Sequence, residues 1–224
     1  LPPDNTAPLS GNAVRFFGSS YSSAIIGAFA PVTLTAAGHY VKVSMDVRFT
    51  ATGADSRNAM IMGLFNSGGT YLTGNVLGTT GVANGDVGYK LTKNVNTGTS
   101  DMKVSDETAT SGGSFSIFNG TVLQTSSTAL TTNDLVPHHL TMRIELAPNL
   151  NDLLITGTFD TFTGAALTVS GANVLTKTFD EVMIMSNMWF SAQVPPNIDN
   201  VLVTAVIPEP ASLVLLARGG AMMV

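Results

Sequence analysis

Strict alternation of apolar and polar side chains in residues 40–50 restricts the fold of this chain more than any other feature of its sequence. The apolar set is Val41, Val43, Met45, Val47 and Phe49, and the polar set between them is Lys42, Ser44, Asp46 and Arg48. A period of two places successive side chains on opposite faces of a β-strand. The same alternation recurs in residues 139–146. Both segments therefore predict antiparallel strands with one face buried and the other in water.

Weaker apolar runs predict further strands at residues 59–65, 87–93, 115–118, 153–162, 182–185 and 201–206. Clusters rich in Gly and Asn separate them, and Asn84-Gly85 is a pair that favours a tight hairpin turn. Short strands between such turns predict an all-β chain: a two-sheet antiparallel β-sandwich of the jelly-roll type, with an immunoglobulin-like sandwich as the alternative topology. Loops as long as residues 72–86 and 94–113 either bind something or contain additional edge strands.

Few side chains of this chain are charged, which limits its partners. Only 11% of the 224 residues are Asp, Glu, Lys or Arg, and the net charge is −5. A weakly acidic surface does not attract a polyanion, so no nucleic-acid binding is expected. The chain has no cysteine, which excludes disulfides, thiolate metal sites and a cysteine nucleophile.

After residue 206 the sequence changes to Pro208-Glu209-Pro210, followed by an apolar run and Arg218. This tail resembles the PEP-CTERM sorting signal of bacteria that make exopolysaccharide, in which a Pro-Glu-Pro triplet precedes an apolar helix and a basic cluster. The resemblance implies a secreted or cell-surface protein of a Gram-negative-type bacterium, whose tail contacts the membrane only transiently. The basic cluster is missing here. As a helix, residues 211–224 would reach about 21 Å, short of the about 30 Å of a bilayer core.

These features divide the sequence into three parts. They are an extended N-terminal segment over residues 1–11, a β-sandwich domain over residues 12–206 and the sorting tail over residues 207–224. The β-sandwich domain resembles a concanavalin-like jelly roll. Lectin-like jelly rolls often hold a structural calcium through Asp and Asn oxygens, which suit a hard cation. The resemblance therefore implies calcium at turn residues, and Asp199, Asn200 and Asp86 are the candidate ligands. No other cofactor is expected.

Aromatic side chains would be the platforms for a bound sugar, because a pyranose ring stacks on a flat aromatic face. Trp189 is the only tryptophan and the candidate platform. A position in the core is the alternative, because Met185 and Met188 are its neighbours. The adjacent His138 and His139 point to opposite faces of a regular strand and cannot both bind one metal from it.

No motif in the sequence provides a catalytic nucleophile, a metalloprotease site or a phosphate-binding loop. We therefore expect no enzyme activity and no catalytic residue. Low charge and abundant hydroxyl side chains favour a non-catalytic structural protein of the cell surface or extracellular matrix, assembled as a homo-oligomer, filament or layer. The alternative is a lectin-like module that binds exopolysaccharide. An open sheet lined by Trp or Tyr would favour that alternative.

Overall fold

Twelve β-strands and one 3-10 turn make up the regular structure of the described residues, which are 14–15, 23–48, 59–70, 86–94, 101–108, 120–126, 136–187 and 196–206. In this computed structural model the strands are β1 (Val14–Arg15), β2 (Ser23–Thr33), β3 (Tyr40–Arg48), β4 (Ala59–Asn66), β5 (Val87–Asn94), β6 (Met102–Thr108), β7 (Val122–Thr125), β8 (His138–Leu146), β9 (Leu153–Phe159), β10 (Phe162–Val169), β11 (Thr178–Asn187) and β12 (Asn197–Val206). The 3-10 turn is Gly171–Asn173.

The strands form two six-stranded sheets in which neighbouring strands are antiparallel. Sheet A has the order β1-β12-β3-β8-β9-β10, and sheet B has the order β2-β11-β4-β5-β6-β7. The predicted all-β, two-sheet antiparallel sandwich is confirmed. In the described part of the chain, no helix is long and apolar enough to cross a membrane.

The main core lies between the inner faces of the two sheets. Val41, Val43, Met45 and Val47 form the buried face of β3, as their alternation predicts. Phe49 lies outside the described residues. β8 shows the same alternation, with every second side chain from His138 to Leu146 buried. Sheet B contributes inward-facing side chains to the same core, namely Met60, Met62, Leu64, Tyr89, Leu91, Met102, Val104, Phe179 and Ile184.

The apolar run at residues 153–162 contains β9 and the first residue of β10, so the predicted strand ends too late by one turn. The chain reverses at Asp160, whose φ of 53° is left-handed, and Phe162 pairs back with Phe159. One oxygen of Asp160 accepts the backbone N–H of His139 at 2.8 Å, and the other lies 2.7 Å from Nδ1 of His138. Asp tolerates the left-handed region better than most residues. A single Asp is nevertheless a weak turn signal in a sequence.

Four strands, β1, β2, β6 and β7, are absent from the sequence-based predictions, which also include only the first residue of β10. β6 lies within the loop at residues 94–113, so that loop does contain an additional strand. It is not an edge strand, because it pairs with both β5 and β7. The strand predicted at residues 115–118 lies outside the described residues, as does all of the 72–86 loop except Asp86.

Candidate functional site

The outer face of sheet B is buried, although the outer face of a two-layer sandwich normally meets water. Ile61 and Phe65 of β4 and Met183 and Met185 of β11 form a second apolar cluster, separate from the main core and fully shielded from solvent. The Phe65 ring lies against Gly88 of β5, where a Cβ would overlap it. We term this buried cluster the apolar floor of sheet B.

A buried ion pair lies beside the apolar floor. Nζ of Lys90 donates to a carboxylate oxygen of Glu107, and the two side chains are 1% and 4% exposed. Lys90 is opposite Gly63 on β4 and Ser105 on β6, which places it on the same outer face as Phe65. Burial lowers the pKa of Lys90, and its hydrogen bond to Glu107 opposes part of that shift.

The turn after β4, residues 67–70 and termed the Ser67 turn below, is fixed by one buried carboxylate. Asp180 of β11 accepts the Ser67 N–H at 2.8 Å and the Ser67 hydroxyl at 2.9 Å. The Ser67 hydroxyl oxygen accepts the Gly69 N–H at 3.2 Å. Gly68 and Gly69 have φ of 63° and 82°, which glycine adopts without steric cost. The exposed part of the turn is therefore held in one shape.

Three buried carboxyl groups meet next to the Ser67 turn and are termed the acid cluster. Asp86 precedes β5, and Asp180 and Glu181 lie on β11 where a bulge interrupts its pairing with β2. Their exposed fractions are 3%, 3% and 2%. The carboxyls of Asp86 and Glu181 lie within hydrogen-bonding range of each other. Two carboxylates at that range repel each other, which favours the protonated form of one of them.

The electrostatics of the acid cluster favour that proton at neutral pH. Burial raises the pKa of Glu181 to about 8, and the neighbouring Asp86 and Asp180 act in the same direction. Burial raises the pKa of Asp86 as well. Oε1 of Glu181 is buried and accepts no hydrogen bond from the described residues. The acid cluster therefore combines a Glu181 carboxyl that is protonated at neutral pH, neighbouring acids, and a buried Glu181 oxygen that accepts no hydrogen bond from the described residues.

Hydroxyl and amide side chains surround this end of sheet B. Asn66 donates from Nδ2 to the Thr176 hydroxyl at 3.3 Å. The hydroxyls of Thr33 and Thr178 lie 2.9 Å apart on the exposed side. Thr70 is exposed at the end of the Ser67 turn. Such groups both donate and accept hydrogen bonds, which a hydroxyl-rich ligand requires.

The structure does not bring the predicted calcium ligands together. Asp86 belongs to the acid cluster of sheet B, whereas Asp199 and Asn200 lie on β12 of sheet A, with Asp199 opposite Asp46 on its outer face. Among the described residues, no group of three or more His, Asp or Glu is arranged to hold a metal ion. Trp189 and the triplet Pro208-Glu209-Pro210 lie outside the described residues, so both remain predictions.

Asn200 takes part in a polar group on sheet A instead. It lies at a bulge of β12 with a φ of 52°, and its Nδ2 donates to Asp46 at 2.6 Å. The other oxygen of Asp46 is 2.7 Å from Nδ1 of His139. His139 is half exposed, whereas His138 is buried and stacks on Phe159. The two histidines therefore point to opposite faces, as the strand geometry predicts.

Sequence reasoning named Asp86 but not Ser67, Asp180 or Glu181 as site residues. Asp180-Glu181 directly precedes the apolar run at 182–185, where a solvated strand start is the ordinary interpretation. Glu181 reaches the site because β11 pairs with β4 and places it opposite Phe65. That pairing joins residues more than a hundred positions apart and leaves no local signal in the sequence.

The fold is similar to solved structures of lectin-like proteins, whereas no protein-family model and no curated protein matches the chain. A legume lectin-like domain from Entamoeba histolytica has a TM-score of 0.52 at 12% identity, over 87% of this chain and 84% of that one. The Ca²⁺-bound exoplasmic/lumenal domain of VIP36 has a TM-score of 0.55 at 12% identity, over 88% and 80%. An endo-1,3-β-glucanase from Streptomyces sioyaensis has a TM-score of 0.52 at 14% identity, over 83% and 70%.

At these identities the similarity establishes the fold alone. The chain is a legume-lectin-like, concanavalin-like β-sandwich, which confirms the resemblance of the body and not the immunoglobulin-like alternative. The PEP-CTERM resemblance of the tail has no counterpart in these comparisons.

Proposed function

We propose that this chain is a lectin-like, carbohydrate-binding module whose site is the Ser67 turn and the adjoining end of sheet B. The observation that carries the proposal is the pair of hydrogen bonds by which buried Asp180 fixes an exposed turn. Carbohydrate sites need a few polar groups held in fixed positions beside apolar surface. Threonine hydroxyls and the Asn66 amide supply such groups next to the apolar floor. The lectin-like fold supports the same function.

The carboxylates of this face favour binding over hydrolysis. A glycoside hydrolase needs two carboxyls separated by about 5 to 9.5 Å. Asp86 and Glu181 are closer, because their carboxyls lie within hydrogen-bonding range of each other. Glu181 and Glu107 lie in one row of the sheet but three strands apart, or about 14 Å at about 4.8 Å per strand. Neither of these two pairs therefore has the spacing of a glycoside hydrolase pair.

This proposal replaces the structural role that the composition favours. Similar folds include carbohydrate recognition domains, which agrees with the lectin-like alternative. No contact among the described residues supports a filament or layer, so assembly into a homo-oligomer remains a prediction. The proposed ligand is an exopolysaccharide outside the cell, the partner and location that the tail resemblance implies.

Affinity electrophoresis through gels containing different polysaccharides tests the proposal. We expect the full chain to be retarded by at least one, and Asp180→Asn to weaken that binding about tenfold, the effect of losing about one good hydrogen bond. Asp152→Asn is the matched control, because Asp152 accepts the Gly171 N–H at 2.8 Å in a turn outside the proposed site. Thermal unfolding of both variants checks that they fold. Absence of retardation in every gel, or equal losses for the two variants, would contradict the proposal.

A further inference from the structure

Strand β2 forms one edge of sheet B. In the part of the chain that the structure describes, it pairs with β11 alone, so the backbone groups on its other side meet no further strand there. It is eleven residues long and contains no charged side chain. Ile25, near its start, is 39% exposed although it is large and apolar. Proteins normally protect such an edge with lysine, proline or a short strand, because an unprotected edge accepts another strand.

The first half of β2 is the part suited to pairing with another strand. Residues 23–28 pair regularly with β11, whereas residues 29–31 form a bulge that contains Pro31, which has no N–H to donate. Side chains of the regular part alternate between the two faces of the sheet. Ile26 packs against the apolar floor on the outer face, and Ile25 lies on the inner face. This stretch of edge is therefore regular, uncharged and apolar on both faces.

The other edges are less suited to accept a strand. β7, at the opposite edge of sheet B, has only four residues. β10 of sheet A is also uncharged, but a bulge at residues 163–165 interrupts it, and none of its large apolar side chains is exposed. β12 has the exposed Val201 and Leu202, but β1 already pairs with its first two residues and a bulge lies at residues 199–202. Bulges twist an edge and disrupt its ladder, so β2 provides the longest regular stretch of edge.

We propose that the β2 edge is a dimer interface, in which the β2 strands of two copies of this chain pair antiparallel about a two-fold axis at Ile26. The two six-stranded copies of sheet B then form one continuous sheet. A two-fold interface must be complementary to itself, because the same residues come from both sides. An uncharged strand meets this requirement, since its pairing brings no like charges opposite each other.

The order of side chains in β2 fits this axis. When Ile26 lies opposite Ile26 of the partner subunit, Ala24 lies opposite the partner's Ala28, and Ile25 lies opposite the partner's Gly27. The two isoleucines at the axis meet on the outer face and join the apolar floors of the two copies. On the inner face Gly27 has no side chain, which leaves room for the exposed Ile25. Main-chain hydrogen bonds then provide affinity, and these side chains fix the register.

Cysteine cross-linking of the intact chain tests both the interface and its register, because the chain contains no cysteine of its own. In Ile26→Cys the two thiols lie directly opposite each other at the axis. Opposite residues of an antiparallel pair have Cα atoms about 4.5 to 5.5 Å apart, a distance that a disulfide bridges. We therefore expect most of this variant to form a covalent dimer on oxidation. Ala166→Cys, at an exposed position of the uncharged β10 edge, is the matched control and should remain uncrosslinked.

Sedimentation velocity of the unmodified chain and of Ile25→Lys measures the dimer without a cross-link. Lysine at this position removes apolar contact from both halves of the interface and adds a charge to each edge. It should raise the dimer dissociation constant by about tenfold or more. Ala166→Lys should leave that constant unchanged, and thermal unfolding of both variants checks that they fold.

A monomeric full chain, equal effects of the two lysine variants, or equal cross-linking of the two cysteine variants would overturn the proposal. Loss of the dimer on deletion of residues 207–224 would overturn it as well, because the apolar tail and not a second β2 would then occupy the edge. None of these measurements uses a polysaccharide. Failure of every polysaccharide to bind would therefore contradict the proposed function and leave the dimer interface unaffected.

Discussion

The outer faces of the two sheets are built from similar strands but lie in opposite environments. On sheet A, Arg143 and Glu145 form an ion pair with side chains 41% and 27% exposed, and Thr156 beside them is half-buried. On sheet B, the ion pair of Lys90 and Glu107 is 1% and 4% exposed. The same type of interaction is thus solvated on one face and desolvated on the other.

This difference distinguishes the outer face of sheet A, which is typical of a sandwich, from that of sheet B, where the proposed site lies. An outer face that meets water needs only polar side chains at alternate positions, and sheet A has them. Burying charged groups has a free-energy cost that a sandwich can avoid by placing those groups in water. On sheet B, the Lys90–Glu107 ion pair and the acid cluster are buried despite this cost. Departures of this kind from the simplest arrangement tend to mark functional sites.

A charge introduced on the outer face of each sheet should give the largest difference in the free energy of unfolding between the two faces. Ile61→Asp places a carboxylate in a fully buried apolar cluster, and we expect it to lower the free energy of unfolding by about 4 kcal/mol or more. Thr156→Asp on sheet A lies opposite Arg143 and should change that free energy by less than about 1 kcal/mol. Urea denaturation of the two variants measures the difference. Equal effects would mean that the two faces have the same environment.

Removing one member of each ion pair should give the next largest contrast. Glu107→Gln deprives a buried ammonium of its carboxylate, and we expect a loss of about 3 to 5 kcal/mol. Glu145→Gln removes the exposed counterpart and should cost at most about 1 kcal/mol. The double variant Lys90→Met/Glu107→Leu should recover most of the loss, because neither charge of this pair is then buried. A double variant as unstable as Glu107→Gln would show that packing, not charge, is responsible.

The strands with a solvated face, in sheet A, could be predicted from the sequence together with their buried side. The strands with two buried faces, in sheet B, could be predicted only in part. In β3 and β8, alternation identifies both the strand and its buried side, because each strand contacts water on one side. In β4 and β5 both sides are buried. The apolar run at 59–65 therefore predicts a strand but not which face meets the core. The end of β9 and the start of β10 were not predictable, because the turn at Asp160 depends on contacts with His138 and His139.

The candidate site was even less accessible to sequence reasoning. Asp86 was identifiable as a polar turn residue after Asn84-Gly85. Its partners Asp180 and Glu181 are brought to it by the antiparallel order β11-β4-β5 and by the bulge of β11. Both features depend on long-range register, which no local pattern encodes. The predicted ligands Asp199 and Asn200 failed to join Asp86 for the same reason, since β12 belongs to the other sheet.

Two buried groups of sheet B should give opposite pH dependences of stability. The pKa of Glu181 is raised from 4.5 to about 8, chiefly by burial. The folded chain then holds a proton that the unfolded chain has lost, and the free energy of unfolding falls as pH rises from 4.5 to 8. The pKa of Lys93, fully buried on β5, is lowered from 10.5 to about 7 by burial. Here the unfolded chain holds the extra proton, and stability rises from pH 7 to 10.5.

Urea denaturation at unit intervals from pH 5 to pH 10 separates these two contributions. Glu181→Gln should lose the fall of stability below pH 8, and Lys93→Met should lose the rise above pH 7. Glu145→Gln on the exposed face of sheet A should retain both, because that side chain is solvated. Curves for Glu181→Gln and Lys93→Met that run parallel to that of the unmodified chain would refute the assignment of either slope.

The smallest contrast lies within sheet B, between two glycines that the same substitution should affect differently. A Cβ at Gly88 would overlap the backbone oxygen of Leu64 and lie 2.8 Å from Cα of Phe65, so β4 and β5 would have to separate. Gly88→Ala should therefore destabilise the chain by about 1 to 3 kcal/mol, the usual range for overpacking. At Gly27 of β2 a Cβ would meet Val182 at an ordinary 3.4 Å, so Gly27→Ala should be neutral within about 0.5 kcal/mol. Because Phe65 lies two residues before Ser67, Gly88→Ala should also displace the Ser67 turn and weaken polysaccharide binding, while Gly27→Ala leaves binding unchanged. Equal stability of the two variants would show that the Phe65 ring does not pack on the sheet as described.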